Sequence, residues 1–293
     1  MSLAQPVSKS KVRALVVAGA VYLNGKRVRI ASKTLINGAR IEVHVDLTRM
    51  ASSVKTEVVE LLNSDILFRD KWVLVVNKPA GLPTQPTVDE ARANLFQAVK
   101  SYLKKGAPGV EPYVGLHHRL DKDTSGVVAF AIDPRANAGF AQAFAQHTAR
   151  KTYWAIVAKT RRGQLADHWE VKNFLGKVNQ SGPARYGAVH AGGDTAHTRF
   201  RCLKQNDSVA WLEASPITGR THQIRVHLAE DHLPILADPF YGAEGREQSE
   251  RLRVPRLMLH AARLELAHPV SGEKWAIDAP MPTDMKKIVG LFG

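Results

Sequence analysis

One stretch of nine residues, His118 to Gly126, combines side chains that can do chemistry with residues that form turns. Asp121 stands two residues after Arg119, and Thr124-Ser125-Gly126 follow it. The next residues, Val127 to Ile132, form an apolar run of buried-strand length. A carboxylate beside a cation at the edge of a rigid strand is typical of an active-site loop, where it acts as nucleophile or base.

A capped turn is the alternative interpretation of this stretch, with Asp121 or Asp123 accepting backbone amides while Arg119 stays solvated. That interpretation leaves a second polar cluster unexplained. The cluster lies about a hundred residues later and reads Gly219-Arg220-Thr221-His222-Gln223-Ile224-Arg225-Val226-His227-Leu228. Together the two stretches favour a catalytic site.

The two stretches resemble the signature motifs of the RluA family of pseudouridine synthases, His-Arg-Leu-Asp-x-x-Thr-Ser-Gly and Gly-Arg-Thr-His-Gln-Ile-Arg-Val-His. Both motifs are complete in this chain. Three further segments agree with the family, Val76 to Pro83, Lys151 to Ala155 and Leu257 to Ala261. Five motifs in the right order are highly specific. The resemblance extends from about residue 65 to the C-terminus.

The resemblance implies that the protein converts uridine in RNA to pseudouridine. That reaction breaks the bond between ribose C1′ and N1, turns the freed base, and joins its C5 to C1′. Because nothing is oxidised or consumed, we expect no cofactor and no metal, and the chain shows no phosphate-binding glycine loop. The reaction needs a carboxylate at C1′ or the 2′ position, as nucleophile or as base. We assign that role to Asp121 and leave both routes open.

A cation must keep such an aspartate ionised inside an RNA-covered cleft. Arg225 is the candidate, since a helix capped by Thr221 would place His222, Arg225 and Ala229 on one face. Its guanidinium is expected to chelate Asp121 through two parallel hydrogen bonds, which a lysine cannot reproduce. An ordinary surface-helix arginine is the alternative.

The resemblance also implies contacts to a uridine that is flipped out of its RNA. Tyr153 is the stacking tyrosine, and its hydroxyl could assist proton removal from C5; by itself it would be a half-buried strand residue. Leu259 is the apolar wall under the base, and Arg119 enters the vacated space in the RNA. The predicted catalytic residues are thus Asp121, Tyr153 and Arg225. The predicted substrate-binding residues are Arg119, Leu259, His118, Thr124 and Lys78, the last as a phosphate contact or a structural ion pair.

Length and composition are those of a globular protein, and the net charge predicts a polyanionic partner. The chain has 293 residues, 44% of them hydrophobic, and a formal net charge of +14, so structured RNA is the expected partner. A single cysteine, Cys202, allows no internal disulfide and indicates a reducing cytoplasm. Neither a signal peptide nor a long apolar run is evident, so we expect a cytoplasmic protein with no membrane segment, and a monomer.

The first 50 residues carry nine Lys and Arg residues against two acidic residues. A helix from Ser8 through Gly19, a hairpin at Asn24-Gly25 and an alternating strand from Ile41 to Val45 are predicted there. This pattern resembles the S-four-type RNA-binding module, although few residues are available for the helix that usually opens it. We predict this domain for residues 1–46, against the alternative of a solvated basic arm. Its predicted RNA contacts are Lys9, Lys11, Arg13, Lys26, Arg27 and Arg29.

A polar linker at 47–60 is predicted to precede a catalytic domain at 61–293. That domain is expected to be α+β, with a mixed, mainly antiparallel sheet, flanking helices and a central cleft. Strands are predicted at Ile66–Phe68, Trp72–Val76, Tyr153–Val157, Thr198–Cys202 and Val209–Glu213. One helix is predicted from Glu90 to Lys105, and Gly242 to Pro255 as an exposed loop. Another helix is predicted to start with Asp133 as cap and Pro134 as first residue, and to bury Ala138, Phe140, Phe144 and Ala145.

Other interpretations are weaker. Asp123-Thr124-Ser125-Gly126 resembles an aspartic-protease motif only superficially, and the chain has no second copy of it. Four histidines in the two clusters lack the partners of a zinc set and are expected to be structural: His117, His118, His222 and His227. The runner-up function is a noncatalytic RNA-binding or ribosome-assembly protein, and a nucleosidase is the third. The predicted substrate is ribosomal large-subunit RNA or transfer RNA.

Overall fold

A computed structural model of the protein describes residues 15–16, 20–28, 35–44, 59–86, 93–161, 163–179 and 184–292. These residues fall into two compact units, the smaller within residues 1–57 and the larger within residues 58–293. Among them, no helix is both long enough and apolar enough to cross a membrane.

The described part of the small unit contains an antiparallel sheet in the order β2-β1-β3. Its strands are β1 (Val21–Leu23), β2 (Lys26–Val28) and β3 (Ile41–Val43). The predicted hairpin is confirmed, because Asn24 and Gly25 join β1 to β2 with φ angles of 50° and 76°. Two successive positive φ angles are those of a type I′ turn, which is why the Asn-Gly pair stands there.

Arg27 is the one predicted RNA contact of this unit whose side chain the structure describes. It is exposed on β2, and its Nε and Nη2 donate to the Tyr22 hydroxyl at 2.9 and 2.6 Å. Lys26 lies in β2. The other predicted contacts lie outside the described residues, as do most of the predicted first helix and most of the predicted linker.

The large unit is built on a sheet whose described strands run in the order β10-β9-β11-β12-β8-β13-β7-β5-β4, with β14 beside β13 and β6 beside β7. Its mixed, mainly antiparallel character is confirmed, because among the described pairs only β7 and β13 run parallel. All five predicted strands are present. The strands are β4 (Ile66–Arg69), β5 (Val73–Lys78), β6 (Gly115–Leu116), β7 (Ser125–Ala131), β8 (Arg150–Ala158), β9 (His168–Lys177), β10 (Tyr186–Ala188), β11 (Asp194–Gln205), β12 (Val209–Pro216), β13 (Leu259–Ala267) and β14 (Lys274–Asp278).

Helices flank this sheet, as expected. They are α1 (Leu95–Gly106), α2 (Ala136–Ala145), α3 (Gln223–Glu230), α4 (Arg246–Arg251) and α5 (Thr283–Val289), with short 3-10 helices at Asn63–Asp65, Ala243–Gly245 and Gly290–Phe292. The predicted exposed loop at 242–255 is therefore wrong, since it contains one 3-10 helix and α4. Because α4 buries none of its residues, its sequence carries no apolar periodicity.

The predicted starts of α1 and α2 are also wrong. Helix α1 begins at Leu95, because the Asn94 side chain caps it by accepting from the Gln97 amide. Helix α2 begins at Ala136, since Asp133 forms a turn in which it accepts from the Arg135 amide at 2.9 Å. The shift changes the buried face: Ala136, Phe140 and Ala143 are buried, Phe144 is half-buried, and Ala138 and Ala145 are exposed.

Strand β7 is buried along its whole length and carries the loop of Asp121. Val128 and Phe130 pack in one cluster with residues of α1, whereas Val127, Ala129 and Ala131 pack in another with residues of α2. Burial on both faces explains why this strand is a continuous apolar run. Its N-terminal end is therefore a fixed point from which the preceding loop projects.

Gly126 allows β7 to lie directly beside β13. Its φ is +115°, and a Cβ atom at this position would overlap the backbone of Ala261. We predict that Gly126→Ala lowers the free energy of unfolding by more than the cost of the strained backbone alone, which is about 1–3 kcal/mol.

Gly163→Ala is the matched control, because Gly163 has a φ of +118° and nothing within 4 Å of its Cβ position. Thermal unfolding midpoints of the two variants check the prediction. Equal midpoints would show that β13 tolerates a side chain at position 126.

Candidate active site

A cavity of about 330 Å³ lies where the loop before β7 faces β8, β13 and α3. Seven of the eight predicted catalytic and substrate-binding residues line it. They are His118, Arg119, Asp121, Thr124, Tyr153, Arg225 and Leu259. The two motifs that stand about a hundred residues apart in the sequence thus form one site.

The loop that carries Asp121 is anchored on both sides of this residue by the turn after β5. The Thr84 hydroxyl donates to the Leu120 carbonyl at 2.7 Å, and the Leu120 amide donates back at 3.1 Å. The Gly81 amide donates to the Lys122 carbonyl at 2.9 Å. Asp121 therefore projects from a backbone that is hydrogen-bonded immediately before and after it, which limits the directions its carboxylate can take.

Lys78 does not line the cavity, and its predicted phosphate contact is wrong. It is fully buried, and its Nζ donates to the carbonyls of Pro79, Leu82 and Lys122 at 2.7 to 2.9 Å. Burial lowers the pKa of Lys78 to about 7, against the opposing charges of Asp123 and Asp121. Its three acceptors match the three N–H groups of an ammonium. Lys78 is thus the internal tie between the turn after β5 and the Asp121 loop.

Arg225 contacts Asp121, but through one hydrogen bond and not the predicted two. Its Nη1 donates to Asp121 Oδ2 at 3.0 Å. Its two parallel bonds go to Asp238, from Nε to Oδ2 and from Nη2 to Oδ1, both at 2.8 Å. A guanidinium has one edge for such a bidentate contact on this side, and Asp238 occupies it. Of the three N–H groups that are left, one on Nη1 points at a single oxygen of Asp121.

Asp238 was missed by the sequence analysis. Its side chain is fully buried, and its Oδ1 also accepts from the amides of Phe240 and Tyr241. The charge and hydrogen bonds of Asp238, together with those of Asp121, outweigh burial and raise the pKa of Arg225. The available signal was an aspartate at the start of an Asp-Pro-x-x-Gly turn directly after the apolar run Pro234 to Ala237.

Helix α3 is a core helix, so the surface-arginine interpretation of Arg225 is wrong. Every residue from Gln223 to Leu228 is buried. The helix is not capped by Thr221. The start of α3 is anchored by Gln223 instead. Its Oε1 accepts from the Arg220 amide at 3.0 Å, and its Nε2 donates to Thr198 on β11 at 2.9 Å.

Tyr153 and Leu259 form the wall of the cavity on neighbouring strands. Tyr153 pairs with Ala261, and Leu259 pairs with Ala155, so the two side chains are diagonal neighbours on one face of the sheet. Burial and then the charge of Asp121 raise the pKa of the Tyr153 hydroxyl. Tyr153 is therefore a neutral phenol at neutral pH, with a half-buried aromatic face.

The predicted structural histidines are fixed by hydrogen bonds. His117 Nε2 is 2.9 Å from Asn137 Oδ1, and both ring nitrogens of His227 have partners at 3.0 Å. His118 lines the cavity, but its Nε2 accepts from the Ala129 amide at 2.9 Å, which ties it to the loop and strand. Burial, with the charge of Lys151, lowers the pKa of His118 to about 3, so its ring is neutral.

Three cationic side chains lie at the rim of the cavity: Arg119, Lys151 and Arg220. Arg119 is exposed in the same loop as Asp121. Lys151 is half-buried two residues before Tyr153, and no carboxylate of the described chain lies within ion-pair distance of it. Among the described residues, no group of three or more His, Cys, Asp and Glu side chains is arranged to hold a metal ion.

Comparisons with known proteins agree with this geometry. The family model for RNA pseudouridylate synthases matches residues 72–230, and the model for the S4 domain matches residues 4–41. The chain is 34% identical to ribosomal large subunit pseudouridine synthase C of Pasteurella multocida, over 98% of this chain and 86% of the relative. It is 30% identical to ribosomal large subunit pseudouridine synthase D of Neisseria meningitidis, over 97% and 75%.

A solved structure has the same fold. Human RNA pseudouridylate synthase domain containing 4 matches with a TM-score of 0.63 at 27% identity, covering 78% of this chain and 93% of that one. The α+β fold and the family resemblance read from the motifs are thereby confirmed.

We predict that Asp238→Asn lowers both stability and the rate of pseudouridine formation. The buried Arg225 would lose the charge that balances it, which costs about 3 kcal/mol when one partner of a buried pair is removed. It would also be free to turn away from Asp121. Thermal unfolding and single-turnover kinetics on RNA measure the two effects.

Asp284→Asn is the control, because Asp284 receives the same pair of parallel bonds from Arg256, at 2.6 and 2.8 Å, and neither residue lines the cavity. It should lower stability and leave the single-turnover rate unchanged. A matching loss of rate in both variants would mean that the rate follows general stability and not the position of Arg225.

Proposed function

The chain belongs to the RluA family of RNA pseudouridine synthases, and from that premise we propose that its cavity isomerises uridines of ribosomal large-subunit RNA with Asp121 as the reacting carboxylate. The enzyme is an isomerase that converts uridine in RNA to pseudouridine. The observation that carries the role of Asp121 is the 3.0 Å bond that it receives from the buried guanidinium of Arg225. The large-subunit substrate is supported by the names of the relatives.

One carboxylate oxygen of Asp121 accepts a hydrogen bond from Arg225, and the other is the oxygen that reacts in our proposal. Its Oδ2 accepts from Arg225, and we place its Oδ1 at the ribose of the flipped uridine. There Oδ1 either attacks C1′ while the bond to N1 breaks, or removes the proton from C2′. In both routes the departing base takes the electron pair of the broken bond. After the base turns, C5 bonds to C1′, while the carboxylate leaves C1′ in the first route and returns its proton to C2′ in the second. C5 then loses its proton and N1 gains one, which completes the isomerisation.

Tyr153 and Leu259 hold the uracil during this turn. The ring of Tyr153 offers a stacking face, and Leu259 lies beside it on the next strand. The raised pKa of Tyr153 supports stacking, because a phenolate base is disfavoured in a buried site beside a carboxylate. Because this wall contacts the base through apolar and aromatic surfaces, it offers no hydrogen bond that would hold the base in its original orientation, and the base can rotate.

The rim of the cavity supports RNA as the substrate. Arg119 is exposed and adjacent to the reacting loop, where its planar group fills the space that the flipped nucleotide leaves. Lys151 supplies the phosphate contact that was wrongly predicted for Lys78, since it faces the cavity and no described carboxylate pairs with it. The proposal includes a monomeric protein in the cytoplasm, the location that a ribosomal substrate supports.

Replacing the carboxylate separates an enzyme from a noncatalytic RNA-binding protein on the same fold. We predict that Asp121→Asn abolishes pseudouridine formation and keeps RNA binding, because size is retained while the charge is lost. The assay offers large-subunit RNA and transfer RNA side by side and maps pseudouridine in each.

Asp123→Asn is the control, since Asp123 lies in the same turn but does not line the cavity. It should form pseudouridine normally. Appreciable turnover by Asp121→Asn would reject the assignment, and modification of transfer RNA alone would reject the proposed substrate. Release of free uracil would identify a nucleosidase.

The basic N-terminal region is proposed to supply affinity and placement. Its match to the S4 domain and its excess of Lys and Arg support contacts to RNA phosphates. We predict that removing residues 1–46 weakens RNA binding and flattens its dependence on salt, because fewer counterions are released. The chemical step at saturating RNA should stay nearly unchanged. Titrations of labelled RNA at several salt concentrations test this, and identical slopes for both proteins would contradict it.

A further inference from the structure

His222 lies beside Asp121 in an unusual backbone conformation. It precedes α3 with φ of 58°, in the left-handed region that side chains other than glycine rarely adopt. The ring is held among three aromatic side chains, with centroid distances of 5.6 to 5.8 Å to Tyr186, Phe240 and Tyr241. Strain of this kind persists only where the surroundings impose it, and it collects at functional sites.

The hydrogen bonds around Tyr241 favour one tautomer of this histidine. The Tyr186 amide donates to the Tyr241 hydroxyl oxygen at 3.0 Å, so the hydroxyl hydrogen is free to donate elsewhere. His222 Nδ1 lies 2.9 Å from that oxygen, and it accepts the hydroxyl hydrogen in the tautomer that carries its own hydrogen on Nε2. Burial lowers the pKa of His222, against the opposing charge of Asp121, so the ring is neutral and carries one hydrogen. With Nδ1 accepting, that hydrogen is on Nε2.

Nε2 of His222 faces the Asp121 oxygen that accepts a hydrogen bond from Arg225. His222 Nε2 lies 3.8 Å from Asp121 Oδ2, and Arg225 Nη1 lies 3.0 Å from it. At 3.8 Å no hydrogen bond is formed. Hydrogen bonds of catalytic groups are often long in the empty site and shorten when the substrate is bound.

We propose that His222 is a positioning residue, whose Nε2–H closes on Asp121 Oδ2 when RNA fills the cavity and so leaves Oδ1 as the reacting oxygen. Two donors on one oxygen fix the rotation of the carboxylate about its Cβ–Cγ bond, which a single bond from Arg225 does not. Tyr241 takes part by holding the tautomer. The inference rests on the proposed function, because it gives Asp121 the reacting role.

Two substitutions at position 222 distinguish a role as hydrogen-bond donor from a role in packing alone. His222→Gln retains an amide N–H at the level of Nε2, whereas His222→Leu retains comparable bulk without a donor. Both carry a Cβ at the same left-handed position, so their backbone strain is equal. At saturating RNA, the single-turnover rate of His222→Leu should fall about tenfold, as for the loss of one hydrogen bond to a charged group. His222→Gln should recover most of that rate, and neither should weaken RNA binding.

Nitrogen-15 spectra of histidine-labelled full-length protein test the tautomer directly. Wild type should show His222 with Nε2 protonated and Nδ1 bare, and Tyr241→Phe should shift that balance toward Nδ1–H and lower the rate. His232→Asn is the control, because His232 also has a positive φ, of 59°, which Asn tolerates, and does not line the cavity. It should react at the wild-type rate.

Equal losses in His222→Leu and His222→Gln, no loss in either, or an Nδ1–H tautomer in wild type would overturn the inference. These outcomes are distinct from failure of the proposed function, in which wild type forms no pseudouridine or Asp121→Asn remains active. Even with an inactive wild type, the tautomer measurement decides whether His222 presents its donor to Asp121.

Discussion

The site depends on one buried cation, Arg225, placed between two carboxylates. A guanidinium taken out of water is costly unless its N–H groups and its charge are both satisfied. Asp238 accepts two of its five N–H groups in parallel bonds, and Asp121 accepts one of the three that are left. The geometry distinguishes the two carboxylates: Asp238 is fully enclosed and holds the cation, while Asp121 borders the cavity and bonds to Arg225 through Oδ2 alone.

The rest of the fold brings these two carboxylates to one arginine. Asp121 is held in place by β7, which is buried on both faces, and by Lys78, which joins the Asp121 loop to the turn after β5. Arg225 is fixed by a wholly buried helix that Gln223 anchors to β11. Since β8 and β13 lie between these two supports, Tyr153 and Leu259 lie at the middle of the sheet, on the wall of the cavity.

Motif residues and strands could be predicted from the sequence because their signals are local. A carboxylate before an apolar run, alternating patterns and an Asn-Gly turn are each visible within ten residues. Asp238 could not be paired with Arg225 in this way, because the partnership joins a turn to a helix through tertiary packing. Lys78 was misassigned for a related reason: a lysine that donates to three carbonyls in the interior has the same sequence context as one that contacts phosphate. The start of α2 depended on whether Asp133 caps the helix or closes a turn, and both are common uses of aspartate.

The most direct test of this account is the release of tritium from RNA labelled at C5 of uridine, measured in a single turnover with wild type and with Arg225→Lys. Forming the bond from C5 to C1′ expels the C5 hydrogen, so release reports the isomerisation itself. Lysine keeps the charge but cannot bond both oxygens of Asp238 and still reach Asp121. Wild type should release tritium without free uracil, and the rate of release by Arg225→Lys should be at least about tenfold lower at saturating RNA. Equal rates in the two proteins would contradict it.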